Sequence, residues 1–173
     1  MEEVILVAPD GSAVGTALKS AVHTSDTPLH LAFSCYLLDR GGRVLVTRRA
    51  LGKRTWPGVW SNSFCGHPAP GEQLDAALHR RVQQELGVSL RDLELALPDF
   101  RYRAVDASGI VENELCPVYT AVIDETPLPD PDEIVEWAWA NPEDLAESVA
   151  RTPFAFSPWL ALQLPLLLAP KGP

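Results

Sequence analysis

The sequence reads SFCGHP over residues 63–68, GE over residues 71–72 and RRVQQELGV over residues 80–88. A thiol, Cys65, therefore precedes an imidazole, His67, by two positions, shortly before a run with helical periodicity. The combination of a thiol, an imidazole and a charged helix points to a catalytic metal and phosphate site.

The run after this motif predicts a helix over residues 72–86, because its apolar side chains form one arc at about 100° per residue. Two charged side chains, Arg81 and Glu85, project near the middle of that arc. Charges on a buried stripe are costly unless they meet a partner, a metal or a ligand. The alternative is a mutual salt bridge that reaches solvent.

Length and charge limit the possible functions. The chain has 173 residues, which we interpret as one domain over residues 1–173. Its 14 Lys and Arg against 23 Asp and Glu give a net charge of −9, so we expect no nucleic-acid partner. Basic residues are concentrated in residues 48–54, which favours a small anionic ligand, with a solvated loop as the alternative.

The cysteines and the termini indicate the compartment. Three cysteines without a CxxC pair do not resemble a disulfide framework. The N-terminus lacks the basic start and long apolar core of a signal peptide, and the apolar residues 159–168 cover about half a membrane span. We therefore expect a cytoplasmic protein with no membrane partner, and a monomer rather than an oligomer.

Apolar alternation and turn residues predict a strand-rich chain with interspersed helices. The predicted strands cover residues 4–7, 29–38, 44–49, 61–67, 100–104, 110–123 and 134–139. The predicted helices cover residues 72–86, 142–150 and 157–168. This order indicates an α/β (α+β) fold in which helices flank a mixed β-sheet sandwich.

Strand parity groups candidate metal ligands. Residues i and i+2 share a face, so Glu112 lies beside Glu114, and Cys65 beside His67. Imidazole plus carboxylate suits Mn²⁺, Zn²⁺ or Fe²⁺ better than Mg²⁺ alone. The candidate ligands are His23, His30, His67, Glu112 and Glu114. The alternative is that each histidine is an ordinary core or loop residue.

Several positions resemble the Nudix box, G-x5-E-x7-R-E-U-x-E-E-x-G-U. The matching residues are Gly66, Glu72, Arg80, Val82, Glu85, Gly87 and Val88. Arg81 and Gln84 stand where the box has glutamates, which removes carboxylates that would hold the metals used in diphosphate hydrolysis. Together with TRRA at 47–50, WPGVW at 56–60 and GIVENE at 109–114, these departures closely resemble type 1 isopentenyl-diphosphate isomerases, over about residues 19–159.

The resemblance implies a Nudix-type fold and the reversible conversion of isopentenyl diphosphate to dimethylallyl diphosphate. Cys65 and Glu114 would transfer protons from opposite sides of the substrate, with Tyr102 assisting Glu114 and Trp159 facing the carbocation. His23, His30, His67, Glu112 and Glu114 would hold one divalent metal (Mn, Zn or Mg). Glu85 would help bind Mg²⁺ carried in with the diphosphate, and Lys19, Arg49, Lys53 and Arg81 would contact the diphosphate oxygens.

Two other functions are alternatives: a Nudix pyrophosphohydrolase, and a noncatalytic metal- or diphosphate-binding module. The absence of carboxylates at positions 81 and 84 counts against the hydrolase. The presence of Cys65, Tyr102 and Glu114 counts against the noncatalytic module. His23 lies in a polar run with little apolar content, so we expect residues 1–28 to be ordered partly by the metal. We expect the tail, residues 169–173, to be flexible.

Overall fold

The computed structural model describes residues 2–170, which contain twelve strands and four α-helices. Five strands form a first sheet, in the order β2-β1-β3-β10-β9. Their bounds are β1 Glu3–Val7, β2 Ala13–Leu18, β3 His30–Leu31, β9 Arg101–Val105 and β10 Val111–Leu115.

The other seven strands form a second sheet, whose main path has the order β12-β5-β4-β11-β8. The bounds on this path are β4 Phe33–Leu38, β5 Val44–Arg49, β8 Arg91–Leu97, β11 Val118–Val122 and β12 Ile134–Ala140. Two short strands, β6 Trp60–Ser61 and β7 Phe64–Gly66, pair with β5 and β4. Both sheets mix parallel and antiparallel pairs, because β10 runs parallel to β3 and β11 parallel to β4.

Three of the four α-helices in the described residues pack on the two faces of the second sheet. The helices are α1 Lys19–Val22, α2 Leu74–Leu86, α3 Pro142–Arg151 and α4 Pro158–Leu168. Alternate residues of β4 separate two cores: Phe33 and Leu37 pack with α2, whereas Tyr36 packs with α3 and α4. This alternation explains why β4 is apolar on both faces.

Local signals set the helix ends. Gly87 has φ 63°, a left-handed conformation that glycine adopts without strain, and its N–H donates to the carbonyls at the end of α2. Asn141 caps α3 by accepting from two backbone N–H groups, and Ser157 caps α4 by accepting from Leu160 N.

Two chain crossings between the sheets create the site. The chain leaves β3 and enters β4 at Ala32, and it leaves β10 and enters β11 at Cys116 and Pro117. The crossings run side by side, since Ala32 N donates to Leu115 O and Ser34 N donates to Pro117 O. Side chains from both sheets therefore converge at this point.

The expected fold class is confirmed, with corrections to single elements. The predicted strands over 29–38, 61–67 and 110–123 are each two strands, and those over 29–38 and 110–123 divide between sheets. Strands β2 and β8 and helix α1 were not predicted. The predicted flexible tail lies largely outside the described part of the chain, since residues 171–173 are not described.

Candidate active site

A cavity of about 260 Å³ opens where the two sheets meet, beside α2 and the start of α4. Residues from both sheets line it, including Cys65 from β7 and Glu114 from β10. The two groups therefore approach one space from different sheets. The other predicted site residues on its wall are Lys19, His23, Arg49, Lys53, His67, Arg81, Glu85, Tyr102, Glu112 and Trp159.

One end of the cavity holds a group of side chains with the chemistry of a metal site. Ligand atoms of His23, His30, His67 and Glu114 all lie within 4.8 Å of one another. Strand pairing sets part of this arrangement, because His30 on β3 is the register partner of Glu114 on β10. Three imidazoles and one carboxylate are a donor set for Mn²⁺, Zn²⁺ or Fe²⁺.

The hydrogen bonds around these histidines test whether the residues fit a metal. Within residues 2–170, His67 Nδ1 is buried without a hydrogen-bond partner, and the buried Nε2 atoms of His23 and His30 make no well-formed hydrogen bond but lie beside carboxylate oxygens, at 3.0 Å from Glu112 Oε2 and 3.5 Å from Glu114 Oε1. His30 Nδ1 lies 3.0 Å from Pro28 O, which fixes the tautomer that leaves a lone pair on Nε2. A buried nitrogen without a partner is costly, and a cation bound among these nitrogens and carboxylates would satisfy it.

The charges of Glu114 and His67 also suit a cation. Burial opposes ionisation of Glu114, but His30 and His67 outweigh it and hold the pKa of this carboxyl well below its ordinary value. Burial lowers the pKa of His67 although Glu114 opposes the shift, so its imidazole is neutral near pH 7. A neutral imidazole and an ionised carboxylate are the forms that bind metals.

Glu112 lies beside this group rather than within it. Its Oε2 is 3.0 Å from His23 Nε2, and its Oε1 accepts a 2.8 Å hydrogen bond from Thr55 Oγ1. Glu112 therefore connects the metal group to the loop after β5. Its role as a metal ligand stays a prediction.

Glu114 also contacts the aromatic wall. Tyr102 is its register partner on β9, and the Tyr102 hydroxyl donates to Glu114 Oε2 at 2.9 Å. Oε1 of the same carboxylate lies 3.1 Å from His67 Nε2. One oxygen thus faces the histidines and the other faces the phenol.

Cys65 has an environment that keeps its thiol protonated. Burial raises the pKa of Cys65 to about 12, although hydrogen bonds with Ser34 and Asn62 oppose the shift and Glu114 adds to it. Its Sγ donates to Asn62 Oδ1 at 3.3 Å and lies 3.3 Å from Ser34 Oγ. At neutral pH this residue is a proton donor rather than a thiolate nucleophile.

Asn62 fixes Cys65 and Trp159 relative to each other. Its Nδ2 donates to the carbonyls of Cys35 and Phe64 at 3.0 and 2.9 Å, which sets the orientation of the amide. Its Oδ1 then accepts from Cys65 Sγ and, at 2.9 Å, from Trp159 Nε1. A single buried amide therefore orients both the thiol and the indole.

The Trp159 ring lies among other rings and one cation. Its centroid is 5.8 Å from that of Tyr102 and 5.6 Å from that of Trp56. The guanidinium of Arg49 lies over the ring, 5.2 Å from its centroid. The π face of Trp159 therefore already attracts a cation in this structure.

The other end of the cavity is cationic, and each predicted phosphate contact already has an acceptor. Lys19 Nζ donates to Glu2 Oε2 at 2.6 Å. Arg49 donates to the carbonyls of Thr55 and Trp56 at 2.9 and 3.1 Å. The remaining cations, Lys53 and Arg81, are paired with carboxylates.

Arg81 and Glu85 form an ion pair on α2, and Arg81 also lies 3.7 Å from Glu133. Lys53 pairs with Glu133 as well. Burial raises the pKa of Glu85 even though Arg81 opposes the shift. Arg81 Nε is buried and has no hydrogen-bond partner within residues 2–170, so the guanidinium can bind a further acceptor.

The structure explains the identity of two residues of the Nudix box, Gly66 and Glu72. A Cβ on Gly66 would lie 2.8 Å from Arg81 Cγ and 2.7 Å from Phe33 Cζ, so only glycine lets the arginine pass. Glu72 accepts two 2.8 Å hydrogen bonds from Arg80, which also donates to His67 O at 3.2 Å. This pair ties the loop that carries His67 to α2.

The structure brings every predicted site residue except His30 to the wall of one cavity, and His30 lies within 4.8 Å of three of them. It also adds residues that the sequence pattern did not reveal. Asn62 and Thr55 are the missed residues that connect predicted ones. Both lie in or beside quoted motifs, but nothing in their spacing reveals a buried side chain. Glu133, the partner of Lys53, has no sequence signal at all.

The fold and this cavity define a protein of the NUDIX class, since the family model described as NUDIX domain matches residues 28–160. Two relatives are both named isopentenyl-diphosphate Delta-isomerase. The protein of Leifsonia xyli subsp. xyli is 64% identical over 99% of this chain and 94% of its own length. That of Clavibacter michiganensis subsp. michiganensis is 62% identical over 96% and 86%. The chain belongs to the isopentenyl-diphosphate Delta-isomerase family.

Solved structures agree with the NUDIX fold. The protein DR0079 from Deinococcus radiodurans has a TM-score of 0.77 and 22% identity, over 96% of this chain and 99% of its own. A MutT NUDIX hydrolase from Burkholderia pseudomallei has a TM-score of 0.62 and 23% identity, over 80% and 97%. At this identity the likeness concerns the fold. No helix among residues 2–170 is long and apolar enough to cross a membrane.

Proposed function

We propose that this protein interconverts isopentenyl diphosphate and dimethylallyl diphosphate. The observation that carries this function is the approach of Cys65 and Glu114 to one cavity from two different sheets. A five-carbon chain between them would meet a proton donor on one side and a carboxylate on the other. The names of relatives that are 62–64% identical support the same reaction.

The reaction adds one proton and removes another. Protonation of the terminal alkene carbon places a tertiary cation on the neighbouring carbon. Loss of a proton from the CH₂ group on the other side of that cationic carbon forms the new double bond. Cys65, whose thiol is protonated, supplies one transfer site, and Glu114 supplies the other. Trp159, which is buried, offers its ring to the cation.

A divalent metal would be held by His23, His30, His67 and Glu114, with Glu112 beside them. When bound, it would supply positive charge that stabilises the ionised carboxylate at this end of the cavity. Tyr102 then orients Glu114 by its hydrogen bond to Oε2. We propose Mn²⁺, Zn²⁺ or Mg²⁺ for this site, and Mg²⁺ with the substrate diphosphate near Glu85.

The diphosphate would bind at the cationic end. Lys19, Arg49, Lys53 and Arg81 line this part of the cavity. Because the hydrocarbon end has no polar group to bind, the diphosphate must provide the energy that positions it. A substrate shortened to a monophosphate should therefore lose turnover as well as affinity.

Two substitutions test the proton-transfer roles. Cys65→Ser and Glu114→Gln should each lower kcat by about a thousandfold or more, because general acid and base catalysis contributes about 10²–10⁴-fold per group. Cys116→Ser is the matched control, since Cys116 also lies 3.3 Å from Ser34 Oγ but does not line the cavity. Wild-type turnover in either site variant, with circular dichroism showing intact folds, would refute the assignment.

We also propose that the metal helps to order residues 1–28, because His23 is the one predicted ligand in this segment. The segment contains β1, β2 and α1, and the α1 end leads directly to His23. Limited proteolysis should cleave it faster after metal removal by a chelator. Equal resistance of the segment with and without chelator would rule this proposal out.

A further inference from the structure

Glu133 occupies the cationic end of the cavity, between two side chains proposed to bind the diphosphate. It pairs with Lys53 and lies 3.7 Å from Arg81. Its side chain is one quarter exposed, at 25%, and it lines the cavity. The carboxylate therefore stands where an anionic ligand would have to make its contacts.

The backbone holds Glu133 in this place from two directions. Ala50 N, at the end of β5, donates to Glu133 O at 2.9 Å. Asp130 N donates to Glu85 O at 2.9 Å, and Glu133 N donates back to Asp130 O at 3.0 Å. The turn before β12 is thus tied to the strand that leads to Lys53 and to the helix that carries Arg81. The carboxylate is positioned by the fold rather than by a flexible loop.

We propose that Glu133 is the resident counter-anion of the diphosphate subsite, which pairs with Lys53 and Arg81 in the free protein and is displaced when a diphosphate binds. The proposal rests on the proposed function, because it takes a diphosphate as the ligand. Glu133 then weakens the binding of every phosphate ligand. A ligand with few charges cannot replace both of its ion pairs, so the penalty favours diphosphates over monophosphates.

Charge explains why the protein needs such a group. Lys53 and Arg81 are both largely buried, with side chains 25% and 11% exposed, and adjacent cations in this position repel each other. Without Glu133, Arg81 would keep its ion pair with Glu85, but Lys53 would lose the carboxylate with which it pairs. A carboxylate shared by the two cations keeps them paired in the free protein, and its return to them favours release of a tightly bound product.

The change in pyrophosphate affinity caused by replacing Glu133 tests the proposal. Metal-loaded wild-type protein and Glu133→Gln are titrated with inorganic pyrophosphate by calorimetry, with and without added Mg²⁺. Glu133→Gln should bind pyrophosphate about tenfold more tightly, because the ligand no longer breaks an ion pair to reach Lys53. Inorganic phosphate should gain more than pyrophosphate does, so the preference for pyrophosphate should fall.

Glu136→Gln is the matched control, because Glu136 lies on the same segment and pairs with Arg48 away from the cavity wall. Its pyrophosphate affinity should stay within about twofold of wild type. Glu133→Asp, with a shorter side chain, should show an intermediate gain, and it keeps the test decisive if the glutamine variant does not fold.

Unchanged or weaker pyrophosphate binding in the folded Glu133 variants would overturn the proposal. Weakening confined to the Mg²⁺ titration would instead make Glu133 a ligand of that ion, which also overturns it. The isomerisation assay of the wild type runs in parallel. If the wild type does not isomerise the substrate but Glu133→Gln still binds pyrophosphate tenfold more tightly, the proposed function is refuted and the role of Glu133 stands.

Discussion

The hydrogen bond between Tyr102 and Glu114 gives the sharpest quantitative prediction. Tyr102→Phe removes one hydroxyl, which donates to Glu114 Oε2 at 2.9 Å, and leaves the ring. The ring should stay in place, because it stacks on Phe100 at 6.0 Å and contacts Trp159 at 5.8 Å between centroids. The substitution therefore changes one buried contact of the proposed proton-transfer carboxylate.

The size of the effect follows from the chemistry of that contact. A hydrogen bond to a charged group contributes about 1.5–3 kcal/mol, and each 1.4 kcal/mol corresponds to about a tenfold change. We therefore expect kcat for isopentenyl diphosphate to fall about 10- to 150-fold. KM should change less than about threefold, because Tyr102 contacts none of the proposed diphosphate cations.

Initial rates of isomerisation, followed by NMR, measure both constants. Tyr119→Phe is the control, since Tyr119 is buried in the core between the second sheet and α2 and should leave kcat unaffected. Thermal unfolding of both variants separates a catalytic effect from a loss of fold. A kcat for Tyr102→Phe within twofold of wild type would refute the idea that this hydrogen bond orients the carboxylate.

Two further predictions concern Asn62, which contacts both Cys65 and Trp159, and Glu72 of the Nudix box. Asn62→Leu should lower kcat about tenfold more than Ser61→Ala, because both residues contact Trp159 Nε1 but only Asn62 also accepts from the catalytic thiol; equal losses in kinetic assays would contradict the linking role. Glu72→Gln should lower the free energy of unfolding by about 1 kcal/mol at neutral pH, because hydrogen bonding to Arg80 holds the pKa of Glu72 below its ordinary value. That stability is present above the unfolded pKa and is lost as the pH falls through the folded one, so the difference between variant and wild type in urea unfolding should shrink steadily as the pH is lowered through the acidic range. A difference that persists at low pH would refute this explanation.

The fold could be predicted where the sequence pattern reflects local structure. The helix over residues 72–86 was predicted within two residues, because its apolar arc, and Gly87 as its stop, are local signals. Strand β2 was missed because Ala13–Leu18 is an edge strand with almost no buried side chain. Such a strand has no apolar alternation to detect.

The division of long apolar runs depends on tertiary structure. Residues 110–123 are rich in apolar and β-branched residues and are interrupted by Glu112, Asn113 and Glu114, yet β10 and β11 belong to different sheets. Pro117, which has no N–H to donate to a ladder, marks the crossing in the sequence. The choice of sheet for each half is set by pairing with β3 and β4, which no local pattern contains.

The site residues also divide into those that local sequence patterns reveal and those that they do not. Cys65, His67 and Glu114 could be singled out because parity places reactive groups on one strand face. Asn62 and Glu133 could not, because their importance lies in contacts with residues distant in sequence, such as Trp159 and Lys53. Groups that orient or neutralise a site have ordinary side chains, so their contacts identify them.

Deuterium incorporation from the solvent distinguishes the proposed isomerisation from hydrolysis. Metal-loaded protein is incubated with isopentenyl diphosphate and Mg²⁺ in D₂O, and the products are followed by proton and phosphorus NMR. We expect dimethylallyl diphosphate to form with deuterium at the two exchanging carbons, the diphosphate intact and activity lost after metal stripping. Release of phosphate or pyrophosphate, or an unlabelled and unchanged substrate, would contradict the account.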